Sequence, residues 1–302
     1  MFKRICIFSC LVIIAINVSV AQSNGMLPLT GLRYFNEGLS AKTLDVKIDG
    51  QQLLNNRIPL AKEMEISILQ PAGFKEENNK TIFAAAELVL LSPKGDVLSK
   101  IPNLLAKSEI TGITSANSRV LGLKFSLTPD MLKLNTNATI KIRLYDLRSK
   151  SQMRLEMPIA IMKPGEIIQL SKFAKTLNPS EGVNGIISGL KAKKMLVSVD
   201  TTISVAPKMA YTSIDISTIE GSSISGIFSG KESFWVYDTD LNEVKITDIL
   251  LKQVKGAMEN NNVDYTLKIP YRLKNNATKL YTVRYRWESP DKKQVIDVVV
   301  RI

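Results

Sequence analysis

The 302-residue sequence predicts an all-β fold: two tandem homologous antiparallel β-sandwich domains of an immunoglobulin-like kind, placed after an N-terminal signal peptide. Three observations predict it. Apolar and polar residues alternate at period two along most of the chain, between turns rich in Asn, Asp, Gly and Pro. Segments of the first half recur in order in the second, at offsets of about 140–150 residues. Residues 1–21 have the pattern of an export signal.

In the leader, Lys3 and Arg4 precede an apolar run from Ile5 to Ile16. Ser19-Val20-Ala21 then offers small residues for cleavage before Gln22. The run is shorter than the roughly 20 residues of a spanning helix, which argues against a retained anchor. Cys10 is a poor lipidation site, because Phe8 misfits the motif and the apolar run continues past the cysteine. The expectation is an exported chain, periplasmic or extracellular at the cell surface, and not membrane-spanning.

The repeat defines the domains. Gly38-Leu39-Ser40-Ala41-Lys42 parallels Gly189-Leu190-Lys191-Ala192-Lys193, and residues 58–68 parallel 205–217. Residues 86–98 parallel 232–244, and 136–152 parallel 275–294, both of the last pair carrying Asn-Ala-Thr. This gives a first domain over 26–162, a linker over 163–186 punctuated by Pro164-Gly165 and Asn178-Pro179, and a second domain over 187–302.

Strands are expected at 44–49, 65–69, 121–127, 140–145, 266–273 and 295–302, from a dominant period-two signal bounded by turn residues. Ala84 to Ala86 are read as small core residues that let two sheets approach. One helix is expected over 246–258, from Ile246, Ile249, Leu250 and Val254. Its counterpart at 99–110 contains Pro102, which argues against a long helix there.

Composition excludes several chemistries. The chain has no histidine, and both cysteines, Cys6 and Cys10, lie in the leader. Imidazole or thiol nucleophile systems and the usual zinc sites are therefore excluded for the mature chain. Loss of Lys3 and Arg4 lowers the net charge from +12 to +10. The excess is spread as +5, +1 and +4 over residues 22–162, 163–186 and 187–302, a solubility pattern with no basic block for nucleic acid. A membrane β-barrel is disfavoured by an aromatic content of 6% and by the duplication.

Individual motifs are weak. Asp238, Asp240 and Asn242 have calcium-loop spacing, but Glu243 stands where the loop needs Gly and Ile249 where it needs Glu, so a hairpin turn is expected. Glu63, Glu65, Glu76, Glu77, Asp238 and Asp240 form near pairs at polar positions. Asn79, Asn137 and Asn276 begin Asn-x-Thr triplets, read as turns. In the segment 275–294, Tyr281, Val283, Tyr285 and Trp287 share one strand face, with Arg284 and Arg286 on the other. Matching the Asn-Ala-Thr turns, with one residue of slip, aligns those four with Ile142, Leu144, Tyr145 and Leu147. The aromatic face is therefore expected in the core and the arginines toward solvent, where Arg284 and Arg286 are the candidate binding residues.

These readings imply a non-enzymatic exported binding or structural protein of a bacterial cell envelope, using tandem β-sandwich modules for protein–protein interaction. The expected partner is an envelope protein or an anionic envelope glycan; no cofactor is expected. The alternatives are a carbohydrate-binding module protein, which would project aromatics from a sheet face, and a carboxylate-based hydrolase, with two carboxylates across a cleft. Burial of Trp235 and Trp287 discriminates the first two.

Overall fold

The computed structural model describes residues 24–77, 80–114, 116–133, 135–171, 175–177, 183–189, 191–200, 209–220, 230–244, 252–259, 262–272 and 282–301. The predicted leader, Asn79 and the Asn276 triplet lie outside the described residues. The protein is all-β, and the α-helices among the described residues are the short segments Ala106–Thr111 and Pro129–Leu132. None of the described helices is long and apolar enough to cross a membrane.

In the first half, one sheet runs in the order Gly25–Met26, Arg33–Glu37, Gln152–Ile161, Asn137–Asp146, Ala84–Leu91 and Val97–Ile101. Arg57–Ile58 adds a short parallel pairing to Gln152–Ile161. A second sheet runs Val120–Ser126, Glu63–Ala72, Ser40–Ile48, Gln51–Leu53 and Leu170–Ser171. One buried cluster draws on both sheets: Val46, Ile66 and Leu123 from the second, Leu88, Ile142 and Leu155 from the first. Alternation explains this, since every second side chain of each strand points to the shared interior. Ala84 and Ala86 belong to the same cluster. Leu170–Ser171 lies in the segment read as a linker, and pairs with the first half.

The second half repeats this order of pairing. Its first sheet runs Lys175–Leu177, Val183–Ser188, Val295–Arg301, Thr282–Glu288 and Lys231–Tyr237. Its second runs Lys191–Asp200, Met209–Glu220, Asn262–Arg272 and Lys252–Glu259. Thus Thr282–Glu288 takes the place of Asn137–Asp146, flanked by the equivalents of Gln152–Ile161 and Ala84–Leu91.

Two landmarks support the equivalence. The amide of Asp146 bonds the carbonyl of Ser151, and that of Ser289 bonds the carbonyl of Gln294, so the two hairpins are 143 residues apart at both ends. Gly38 and Gly189 both have positive φ, 94° and 72°. A Cβ at Gly38 would strike Ser151, and one at Gly189 would strike the carbonyl of Lys293, each on the equivalent hairpin. Gly189→Ala is therefore expected to destabilise by more than about 1 kcal/mol, because it combines an unfavourable φ with a backbone clash. A denaturant melt measures it.

The structure corrects two expectations. The hairpins set the offset at 143, so Ile140, Ile142 and Leu144 match Val283, Tyr285 and Trp287, in place of the alignment drawn through the Asn-Ala-Thr triplets. All six are at most 2% exposed. In the segment expected to be helical, Lys252–Glu259 is a strand paired with Asn262–Arg272, with a register shift between Lys255 and Met258. Gly256 weakens a helix there, and the neighbouring strand supplies a ladder that local periodicity cannot see. Residues 246–251 lie outside the described residues.

Candidate functional site

Arg284 and Arg286 do not face solvent, which corrects the sequence expectation: each is 8% exposed. The strand Thr282–Glu288 is buried on both faces apart from its last residue. Its inner face carries Val283, Tyr285 and Trp287, each 1% exposed, as expected of a core strand. Its outer face is covered by the first half of the chain.

Asp297 organises that outer face. It is the register partner of Arg286 and is fully buried. Arg284 donates from Nε to Asp297 Oδ1 at 3.1 Å and from Nη2 to Oδ2 at 2.8 Å. Arg286 Nη1 reaches Oδ2 at 3.1 Å, and its Nη2 donates to Glu288 at 2.8 Å. Burial opposes the Arg284 charge, yet Asp297 and Tyr237 together hold its pKa above the ordinary value. Two cations around one carboxylate in a dry site need further acceptors.

The first half supplies one. The carbonyl of Leu29 accepts from Arg284 Nη2 at 2.9 Å and from Arg286 Nη1 at 3.4 Å. Leu29 has φ 70°, and the Thr30 amide bonds the Pro28 carbonyl across it at 2.9 Å, a γ-turn hydrogen bond. A leucine with this backbone costs on the order of 1–3 kcal/mol, so the surroundings must hold it. They do so from both ends: the carbonyl is clamped by the arginines, and the side chain joins Leu54, Ile186 and Val295 in a buried cluster spanning both halves. Arg33 returns the contact, donating from Nη1 to the carbonyl of Leu241 at 3.0 Å.

Beside this latch lies a cleft of about 630 Å³ between the halves. Its floor is the outer face of Lys231–Tyr237, with Lys231, Ser233, Trp235 and Tyr237 among the lining residues. Trp235 is half-buried, with the Arg284 guanidinium 5.0 Å from its ring centroid. Burial pushes the Tyr237 phenol pKa up, against the pull of Arg284. A larger recess of about 810 Å³ around Leu54, Ile167 and Ile168 is lined mainly by apolar and amide groups.

The other sequence candidates lie elsewhere. Asp238 closes a turn, accepting the amides of Asp240 and Asn242 at 2.9 Å each. No cluster of metal-ligating side chains occurs among the described residues. Glu63 and Glu65 meet Lys124, Glu77 meets Arg148, and Glu76 is exposed. Sequence reasoning missed Asp297 and Leu29. The signal for Asp297 was visible, for a lone carboxylate inside the apolar run 295–300 needs a buried cation opposite it. Nothing in the sequence pointed to Leu29.

Compared with known proteins, the chain matches no protein-family model and no curated sequence.

Proposed function

We propose that the protein is an exported, non-enzymatic binding or structural component of a bacterial cell envelope. In this reading it is built from two related immunoglobulin-like β-sandwich modules and works by protein–protein interaction in the periplasm or at the cell surface. The observation that carries the reading is the edge strand Val120–Ser126, which among the described residues is paired on one side only, to Glu63–Ala72. It is seven residues long, and Val120 at its end is 51% exposed. Such an edge accepts an added strand from a partner through main-chain hydrogen bonds, with alternate side chains giving selectivity. The latch supports the same reading, because it fixes the spacing of two modules that a partner meets together. Trp287, buried in the core, is unavailable for a sugar-binding platform.

The experiment is affinity capture from an envelope fraction with the full-length chain and with Val120→Lys. The wild type is expected to retain a protein that the variant retains several-fold less, at equal melting temperature, because a charge on an edge strand discourages pairing. Equal capture by both, or capture of no protein, would overturn the reading.

A further inference from the structure

Along the strand Lys231–Tyr237, the residues Lys231, Ser233, Trp235 and Tyr237 share one sheet face, since side chains alternate. Their register partners there are Glu288, Arg286, Arg284 and Thr282. Positions two apart on a strand are about 6.6–7 Å apart, so an ammonium, a hydroxyl, an indole and a phenol stand in a row of roughly 20 Å. Asn55, Asn56 and Gln169 also line the cleft; Asn55 donates to Gln169 Oε1 and accepts from the Arg57 amide, and Asn56 donates to the Pro158 carbonyl, which holds the three side chains in place. Lys292 also lines the cleft.

Charge in the cleft divides into two kinds. Arg33, Arg57, Arg284 and Arg286 are each paired with a carboxylate: Glu156, Glu166, and for the last two Asp297, with Glu288 also on Arg286. Lys231 and Lys292 are exposed and form no ion pair among the described residues. Glu243 also lines the cleft and is exposed; its backbone pairs with that of Tyr237, at the far end of the row from Lys231, and its carboxylate forms no ion pair among the described residues. The cleft thus offers two free cations at the Lys231 end, one carboxylate at the Tyr237 end, two rings and the side-chain amides.

We propose that this cleft binds an acidic oligosaccharide. Sugar rings lie over Trp235 and Tyr237, carboxylates meet Lys231 and Lys292, and hydroxyls bond Gln169 Nε2 and Asn56 Oδ1. The latch positions Trp235 through Arg284, its neighbour on the same sheet face, whose guanidinium lies 5.0 Å from the ring centroid. A bare anion makes no use of rings and amides, and single-stranded nucleic acid needs a longer basic track than two lysines. The site is independent of the edge strand Val120–Ser126, so either can fail alone.

The test is titration calorimetry of the full-length chain with hexagalacturonate, with neutral maltohexaose and with inorganic phosphate. Hexagalacturonate is expected to bind, and to bind at least about ten-fold more weakly to the Lys231→Ala/Lys292→Ala double variant at unchanged melting temperature. Trp235→Leu is expected to weaken it comparably. Because Trp235 touches the latch, the double lysine variant decides the matter, both side chains being exposed. Absence of binding at millimolar hexagalacturonate, or equal affinity in the double variant, would overturn the proposal. So would maltohexaose or phosphate binding as tightly as hexagalacturonate.

Discussion

Asp297→Ala is expected to lower the unfolding free energy by about 3–5 kcal/mol, the scale for removing one partner of a buried ion pair. The alanine leaves the Arg284 and Arg286 guanidiniums facing each other in a site where each is 8% exposed. Glu288 still pairs with Arg286, but the Leu29 carbonyl is a neutral dipole and cannot compensate the Arg284 charge. Denaturant unfolding of the full-length chain measures the loss, and a change below about 1 kcal/mol would mean that the arginines escape to water. A companion variant separates charge burial from coupling of the halves. Replacing Arg284 and Arg286 with Met and Asp297 with Leu removes all three charges, and such swaps are often neutral or stabilising. Here the swap also removes the donors to Leu29, so the halves are expected to unfold in two transitions where the wild type unfolds in one.

Trp287→Ala is expected to cost a similar amount, about 3–5 kcal/mol, by a different mechanism. The indole is 1% exposed, and its neighbours cannot collapse fully into the void left behind. Its Nε1 has no hydrogen-bond partner among the described residues, so Trp287→Phe removes an unbonded donor along with volume. The phenylalanine variant is therefore expected to lose clearly less than the alanine variant. Equal losses in the two melts would show that shape, and not volume, sets the cost.

The two halves use the same sheet position for opposite ends. At the 143-residue offset, Lys141 and Arg143 correspond to Arg284 and Arg286, while Arg154 corresponds to Asp297. On the first-half sheet, Lys141 pairs with Glu156, Arg143 with Glu87 and Arg154 with Glu37, all with cations 45–50% exposed. A hydrogen bond from Lys100 is the main reason that the Glu87 carboxyl sits below its usual pKa. That is a solvated charge ladder. Exchanging arginine for aspartate at the one position concentrates both cations on a single carboxylate, and the second-half face becomes a surface on which another domain seats.

Much of this was legible in the chain. Alternation located the strands 140–145 and 295–302, because each has one face in a core and the period follows from the pleat. The burial of Tyr285 and Trp287 followed from the same rule. The helix expected over 246–258 failed at Lys252–Glu259 because strand pairing is non-local, and the pattern of Ile246, Ile249, Leu250 and Val254 carries no information about a partner strand.

The sequence by itself determined the all-β class, the absence of histidine and of cysteine beyond Cys10, and the inward face of Thr282–Glu288. Only the tertiary structure decided where Arg284 and Arg286 go. Period two assigns residues to two faces, but it cannot say whether the second face meets water or another part of the chain. The contact that decides it spans 255 residues between Leu29 and Arg284 and goes through a backbone carbonyl, a group that every residue possesses and that no sequence pattern marks.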